Sequence, residues 1–127
     1  MEENIIAIDD DDIAIVILKR MIASINTSLS IISFRAGQEA LQHLKAKKYK
    51  NPPYVFLDFH LKDVVGWELI EELDTIPELK SKVFLISSSV SSDLPSISQK
   101  YKCVAGFIEK PITFEHLRSI LEKTGKD

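Results

Sequence analysis

Polar residues that could carry out chemistry stand directly behind several short apolar runs of this chain. Residues 9–12 are four consecutive aspartates behind the first run, Asp58 follows another, and Ser87 and Lys110 follow two more. Crowded carboxylates repel one another, and a hard divalent cation such as Mg²⁺ relieves that repulsion. A lysine can neutralise a transferred phosphoryl group, and a hydroxyl can donate a hydrogen bond to it. If the fold brings them together, these residues indicate phosphoryl transfer.

The elements that would position these residues are short strands alternating with helices. Strands are predicted over residues 4–8, 30–34, 54–57, 83–86 and 104–108. Apolar residues at helical spacing lie between the strands and after the last one. The predicted inward positions are Ala14, Ile17, Leu18, Met21, Ile22 and Ile25 in helix one, Gly37, Ala40, Leu41 and Leu44 in helix two, and Gly66, Leu69, Ile70 and Leu73 in helix three.

The last two helices have less uniform patterns. Residues 91–102 are predicted to form a short, irregularly patterned helix that would present Leu94, Ile97 and Tyr101. Thr113 can cap a fifth helix. That helix is predicted to turn four apolar residues inward: Phe114, Leu117, Ile120 and Leu121.

This alternation predicts an α/β fold, a flavodoxin-like (βα)5 three-layer sandwich. Nearly continuous apolar strands are typical of a parallel sheet covered on both faces. Right-handed crossovers leave few topologies, and the strand order 2-1-3-4-5 is the commonest for five units. Functional sites in such sheets lie at the carboxyl ends of the strands. We therefore expect Asp9, Asp10, Asp58, Ser87 and Lys110 at one edge.

Composition limits the possible classes of function. The 127 residues suit a single domain, residues 1–127, and 16 basic against 19 acidic residues do not suggest direct nucleic-acid binding. Cys103 is the sole cysteine, so neither an internal disulfide nor a cysteine zinc site is expected. The acidic start and the lack of roughly 20 consecutive apolar residues predict a cytoplasmic protein without a membrane partner.

Five sequence pieces, in order and at matching spacing, resemble the receiver domains of two-component response regulators over essentially the whole chain. They are Ile6-Ala7-Ile8-Asp9-Asp10-Asp11, Val55-Phe56-Leu57-Asp58, Gly66, Phe84-Leu85-Ile86-Ser87 and Gly106-Phe107-Ile108-Glu109-Lys110-Pro111. Each piece alone is weak, whereas the set is specific. The resemblance is to stand-alone receivers of the chemotaxis-regulator type.

The resemblance implies a role for each site residue. Asp58 would accept a phosphoryl group from a phosphohistidine, and Asp10, Asp58 and the backbone carbonyl of His60 would ligate Mg²⁺. Asp9 would act mainly through a metal-bound water. The same resemblance makes Lys110 the family's lysine, commonly followed by a cis peptide bond to Pro111. Ser87 would be the switch hydroxyl and Phe107 the rotating aromatic.

The resemblance also implies the output and the partners. The surface formed by the fourth helix, the fifth strand and the fifth helix would switch between two states. A sensor histidine kinase or a histidine phosphotransfer protein would donate the phosphoryl group, and the output would leave by protein contact. The domain would be a monomer or a phosphorylation-linked homodimer. We expect a phosphoacceptor with at most self-catalysed phosphoryl transfer and autodephosphorylation, not an enzyme.

Two positions depart from the family pattern. Lys62 stands four residues after Asp58, where proline is usual, and Ser87 stands where threonine is commoner. The loss of proline is expected to change the mobility of the loop or the lifetime of the phosphoryl group. Neither departure removes the chemistry.

Simpler interpretations stay open for several residues. Aspartates in a row can be a helix N-cap, which is the expected role of Asp11 and Asp12. Phe107 could equally be a core residue. The three histidine side chains, His43, His60 and His116, form no catalytic set or zinc site and are expected at the surface.

Three alternative functions differ in class from a phosphoacceptor. A receiver fold could serve as a docking module without phosphorylation. A haloacid-dehalogenase-type phosphohydrolase also uses an aspartate and Mg²⁺, and Asp9-Asp10-Asp11 fits its motif superficially, but the usual Gly-Thr and space for a cap domain are missing. A flavin-binding flavodoxin is disfavoured because no phosphate-cradling loop follows the first strand.

Overall fold

Five parallel strands form the central sheet of the protein. The computed structural model describes residues 3–64, 66–88, 96 and 99–124. The strands are β1 (Ile5–Ile8), β2 (Ile31–Phe34), β3 (Tyr54–Asp58), β4 (Val83–Ser87) and β5 (Val104–Glu109). Their order in the sheet is β2-β1-β3-β4-β5, and all neighbouring pairs are parallel. The predicted fold class and strand order are confirmed.

Helices follow the strands as the alternation predicts. They are α1 (Asp12–Ile25), α2 (Gly37–Ala46), α3 (Gly66–Asp74), a short 3-10 helix (Pro77–Leu79) and the C-terminal helix (Phe114–Thr124). The helix predicted over residues 91–102 lies mostly outside the described residues, although Ser96, Gln99 and Lys100 are helical. None of the described helices is both long and apolar enough to cross a membrane.

The helices cover both faces of the sheet and bury one apolar cluster on each side. On one face, α2 and α3 contribute Ala40, Leu41, Leu44, Leu69, Ile70 and Leu73. On the other face, α1 and the C-terminal helix contribute Ile15, Leu18, Ile22, Leu117 and Leu121. Burying one such leucine or isoleucine contributes about 1.5–3 kcal/mol, so these clusters fix the strand ends in place.

The inward face of α1 agrees with the prediction at Leu18 and Ile22 and differs from it at Ile15 and Ile17. Ile15, Leu18 and Ile22 are buried against the sheet, whereas Ile17 is 53% exposed. Residues 13–18 are all apolar, so their spacing fits two overlapping stripes, and only packing against the sheet selects one.

The predicted inward face of the C-terminal helix is wrong at its first residue. Phe114, the first residue of the helix, is 41% exposed, whereas Leu117 and Leu121 are buried. The predicted cap is confirmed: the Thr113 hydroxyl oxygen accepts a hydrogen bond from the His116 N–H at 3.2 Å.

Candidate functional site

Three carboxylates converge at the carboxyl end of the sheet. Asp9 and Asp10 directly follow β1, and Asp58 is the last residue of β3, its neighbour in the sheet. The side chains of Asp9 and Asp58 are buried, and that of Asp10 is half-buried. One carboxylate oxygen from each residue lies within 4.8 Å of the others. The juxtaposition expected from the strand order is therefore present.

Backbone amides fix the orientation of these carboxylates. Each accepts a hydrogen bond from a nearby N–H group: Asp9 from Asp11 at 2.9 Å, Asp58 from His60 at 3.0 Å and Asp10 from Lys62 at 3.1 Å. The next aspartate has a different role. Asp11 caps α1, since its carboxylate accepts hydrogen bonds from the first-turn amides of Ile13 and Ala14.

Lys110 brings a positive charge to the carboxylates. Its Nζ lies 3.3 Å from Asp58 Oδ2 and 3.7 Å from Asp9 Oδ2, and its backbone N–H donates to the Ser87 carbonyl at 2.9 Å. The Lys110–Pro111 peptide bond is cis. Burial lowers the pKa of the Lys110 ammonium, but the charges of Asp58 and Asp9 outweigh that effect and raise it. The ammonium is therefore held in its charged form.

The balance of charge at this site fits a divalent cation. Burial, followed by the neighbouring charge of Asp58, raises the pKa of the Asp9 carboxyl despite the opposing Asp11 amide and Lys110. When ionised, the three carboxylates would outnumber the single ammonium. All three offer hard oxygen donors within a small volume, which suits Mg²⁺ better than a softer metal ion.

Ser87 meets the His60 ring at this edge. The serine is almost fully buried at the end of β4, and its Oγ lies 3.2 Å from His60 Nε2, within hydrogen-bond distance. The His60 ring also contacts Phe59 edge-on, with the ring centroids 5.5 Å apart. The sequence implicated only the backbone of His60, so this side-chain contact was missed. Its carbonyl as a metal ligand stays a prediction.

Phe107 lies in β5, opposite Leu85 of β4. Its side chain is half-buried and packs against the apolar cluster beneath α2 and α3. This position is compatible with a core role and with a rotating role, so the switch assignment stays a prediction. Trp67 lies at the start of α3 and contacts Phe59 edge-on at 5.6 Å, which makes it a nearby optical reporter.

A second polar cluster surrounds Glu3, just before β1, and no sequence pattern predicted it. The buried Glu3 carboxylate accepts a hydrogen bond from the Tyr49 hydroxyl at 2.6 Å and lies 2.6 Å from His43 Nε2. Lys47 Nζ is 3.2 Å from its second oxygen. His43 was expected at the surface and is instead part of this pairing. The partners are 40–46 residues from Glu3, so no local pattern could reveal them.

The chain matches the family model of the response regulator receiver domain over residues 5–122. It belongs to this family. The match spans nearly the whole chain and agrees with the carboxylates and the lysine at the carboxyl end of the sheet. The search of curated proteins found no match to this chain.

Solved structures of response regulators resemble this receiver domain closely in fold. A two-component response regulator from Cytophaga hutchinsonii is 25% identical, with a TM-score of 0.78 and coverage of 97% of this chain and 96% of that chain. One from Legionella pneumophila is 21% identical, with a TM-score of 0.75 and coverage of 96% and 99%. The phosphorylated cyanobacterial phytochrome response regulator RcpA is 22% identical, with a TM-score of 0.73 and coverage of 98% and 93%.

Proposed function

We propose that this receiver domain accepts a phosphoryl group on Asp58 from a phosphohistidine of a sensor histidine kinase or a histidine phosphotransfer protein. The observation that carries the proposal is the contact of Lys110 Nζ with Asp58 Oδ2 inside a cluster of three carboxylates. A buried nucleophilic carboxylate, a cation beside it and hard oxygen ligands are what phosphoryl transfer to an aspartate needs. RcpA, a relative of similar fold, has been observed in its phosphorylated form.

The chemical step joins Asp58 to phosphorus. A carboxylate oxygen of Asp58 attacks the phosphorus of the phosphohistidine, a P–O bond forms, and the P–N bond breaks. The donor imidazole keeps the electron pair of that bond and takes up a proton. Lys110, already next to Asp58, stabilises the negative charge of the transferred group. Mg²⁺ bound by Asp10 and Asp58, with Asp9 acting through water and the His60 carbonyl as a further ligand, would supply additional charge neutralisation.

The response to phosphorylation would start at Ser87. A phosphoryl group adds charge and acceptor oxygens beside Asp58. The Ser87 hydroxyl, which meets His60 in the unphosphorylated protein, would turn to donate to a phosphoryl oxygen. Phe107 would then rotate inward and shift the surface formed by the fourth predicted helix, β5 and the C-terminal helix. The signal would pass to a partner protein bound at this surface. The receiver domain would act as a monomer or as a phosphorylation-linked dimer.

An apolar surface beside the site supports a protein as the donor. Ile13, Val16 and Ile17 lie on one exposed side of α1, the helix that begins three residues after Asp9. A cleft of about 470 Å³ is lined by Ile17 and reaches Asp9 and Lys110. Exposed apolar residues grouped in this way are typical of protein-binding surfaces. A donor protein docked against α1 would be well placed to present its phosphohistidine to Asp58.

The alternatives predict different behaviour. A haloacid-dehalogenase-type hydrolase would have its nucleophile behind the first strand and would turn over phosphate esters. Here the lysine contacts Asp58, at the end of β3, as well as Asp9. A phosphorylation-independent docking module would need neither Mg²⁺ nor Asp58 to bind its partner.

Phosphorylation by a small P–N donor tests the proposal without a known kinase. The protein is incubated with phosphoramidate and Mg²⁺, and intact mass spectrometry measures the gain of one phosphoryl group. We expect one hydroxylamine-labile group on the wild type and none on Asp58→Asn. Asp12→Asn is the matched control, because Asp12 is a neighbouring but exposed aspartate paired with Arg35. It should be phosphorylated like the wild type.

Trp67 fluorescence provides an independent readout with Mg²⁺ and beryllofluoride, a phosphoryl mimic. A saturable, Mg²⁺-dependent change that is lost in Asp58→Asn would support the proposal, and NMR would check the result if Trp67 responds weakly. Phosphorylation of Asp58→Asn at the wild-type level would show that another residue is the acceptor. If the folded wild type shows neither phosphorylation nor mimic binding, the docking module becomes the better hypothesis.

A further inference from the structure

The loop between β3 and α3 contacts the site at a position where the family pattern differs. The Lys62 backbone N–H donates a hydrogen bond to Asp10 Oδ2 at 3.1 Å, although the two residues are 52 positions apart. Lys62 stands where receiver domains usually have proline. A proline at this position has no N–H and could not make the bond. This chain therefore holds Asp10 by a contact that the commoner residue cannot provide.

The next residue fixes the same loop to α2. One Asp63 carboxylate oxygen accepts the Gly37 N–H at 3.0 Å, and the other accepts the Gln38 N–H at 3.1 Å. These are the first two residues of α2, whose N-cap residue, Ala36, makes no side-chain cap bond. Asp63 thus supplies the missing cap from another part of the chain. Its negative charge also lies at the N-terminus of α2, where the helix dipole favours it.

Glycine at the start of α2 allows this close approach. A Cβ atom at residue 37 would lie 2.7 Å from Val64 Cγ2 and 3.0 Å from Leu69 Cδ2. Because Gly37 has a hydrogen atom in place of Cβ, the loop can pack against α2. The loop is therefore held at one end by Asp58, the last residue of β3, and at the other by the Asp63 cap, with Lys62 between them.

We propose that Lys62 and Asp63 together position the metal ligand Asp10. Asp63 anchors the loop on α2, and the Lys62 N–H holds the Asp10 carboxylate facing Asp9 and Asp58. The bond is compatible with metal binding, because the three carboxylates lie within 4.8 Å of one another while it is present. Hydrogen bonds to metal-ligating carboxylates commonly set their orientation and the affinity of the site. This inference rests on the proposed Mg²⁺-dependent function.

Mg²⁺ titration followed by ¹⁵N NMR tests the inference, since one set of spectra reports both folding and affinity. Lys62→Pro removes the N–H, and Lys62→Ala keeps it. We expect Lys62→Pro to weaken Mg²⁺ binding by about tenfold. Loss of a contact that supports a metal ligand typically weakens metal binding roughly 10- to 100-fold, and the lower value applies here because solvent reaches the Lys62–Asp10 hydrogen bond. Lys62→Ala should bind as the wild type does. The Lys62 amide resonance of the wild type should keep its hydrogen-bonded shift as Mg²⁺ binds.

Variants of Asp63 test the anchor, which does not touch the ion in the proposal. Asp63→Ala should weaken Mg²⁺ binding as Lys62→Pro does, and Asp63→Asn, which keeps one acceptor, should lose less. Glu68→Gln is the control for charge, because Glu68 is exposed and lines the same cleft as Asp63. It should have little effect. A residue that only stabilised the fold would change the melting temperature but not the Mg²⁺ affinity of the folded protein.

The outcomes separate this inference from the proposed function. Unchanged or tighter Mg²⁺ binding by folded Lys62→Pro and Asp63→Ala, with normal binding by the wild type, would overturn the inference alone. An equal loss in Glu68→Gln would overturn it in favour of a general charge effect. No Mg²⁺ binding by the wild type would refute the proposed function itself. If Lys62→Pro does not fold, comparison of the Mg²⁺ affinities of Asp63→Ala and Asp63→Asn still tests the inference.

Discussion

Replacing Glu3 by glutamine should destabilise the domain at neutral pH. The Glu3 side chain is only 6% exposed and is held by Tyr49, His43 and Lys47. Burial alone would raise the pKa of this carboxyl, but these hydrogen bonds outweigh burial and lower it from 4.5 to about 2. Glutamine has nearly the same volume but cannot be ionised, so the substitution removes the charge without opening a cavity.

The pKa difference sets the size of the effect. A fall from 4.5 to about 2 corresponds to about 3 kcal/mol of folding free energy at roughly 1.4 kcal/mol per pKa unit. Solvent screens part of this, because the Lys47 partner is 43% exposed, so we expect a loss of about 2 kcal/mol. For a chain of this length that loss lowers the melting temperature by about 7 °C.

The pH dependence has a definite sign. The folded-state pKa of Glu3 lies below its unfolded value, so its contribution is fully present above about pH 5 and is lost as pH falls towards 2. The difference between the wild type and Glu3→Gln should shrink over that interval. Urea unfolding at a series of pH values measures it directly.

Two further variants make the Glu3 test specific. Tyr49→Phe removes one donor and should cost about 1 kcal/mol. Glu109→Gln changes an exposed glutamate and should leave stability within about 0.5 kcal/mol of the wild type. Equal stability of Glu3→Gln and the wild type at pH 7 would refute the reasoning. So would a difference that persists unchanged down to pH 2.

Three more perturbations follow from the geometry. In Gly66→Ala, the new Cβ would meet the Phe59 carbonyl oxygen at 2.6 Å, so urea unfolding should show a loss of about 1–3 kcal/mol; an unchanged midpoint would contradict this. Burial raises the pKa of the Cys103 thiol to about 12, so iodoacetamide at pH 8 should label it only after unfolding, and fast labelling of the native protein would disprove its burial. Lys110→Ala should weaken Mg²⁺-dependent beryllofluoride binding by about tenfold or more, because the mimic at Asp58 loses a charged partner; undiminished affinity would count against this role.

Much of the site could be predicted because it depends on strand ends. An apolar run of four or five residues followed by Asp9, Asp58 or Ser87 is visible in the sequence. The chirality of crossovers then limits how such strands can be ordered. Once the order 2-1-3-4-5 is adopted, the carboxyl ends of β1 and β3 must be neighbours. The carboxylate cluster therefore follows from local patterns combined with one topological rule.

The inward faces of α2 and α3 were predictable for a related reason. Their apolar residues are separated by polar and charged ones, so a single stripe fits the helical period. Gly37 and Leu44 in α2, and Gly66 and Leu73 in α3, are all buried. The unbroken apolar stretch of α1 offers no such contrast, and the face toward the sheet could be decided only by packing.

The family, the order of the strands and the residues that meet at their carboxyl ends can be read from the sequence, because they follow from short-range patterns and the handedness of crossovers. Which polar groups pair across the chain depends instead on tertiary packing. The contact of His60 with Ser87, the bond from Lys62 to Asp10 and the Asp63 cap join residues 25 to 52 positions apart. Such pairs leave no periodic signal, since their geometry is set by how the loops settle on the sheet after the apolar core has formed.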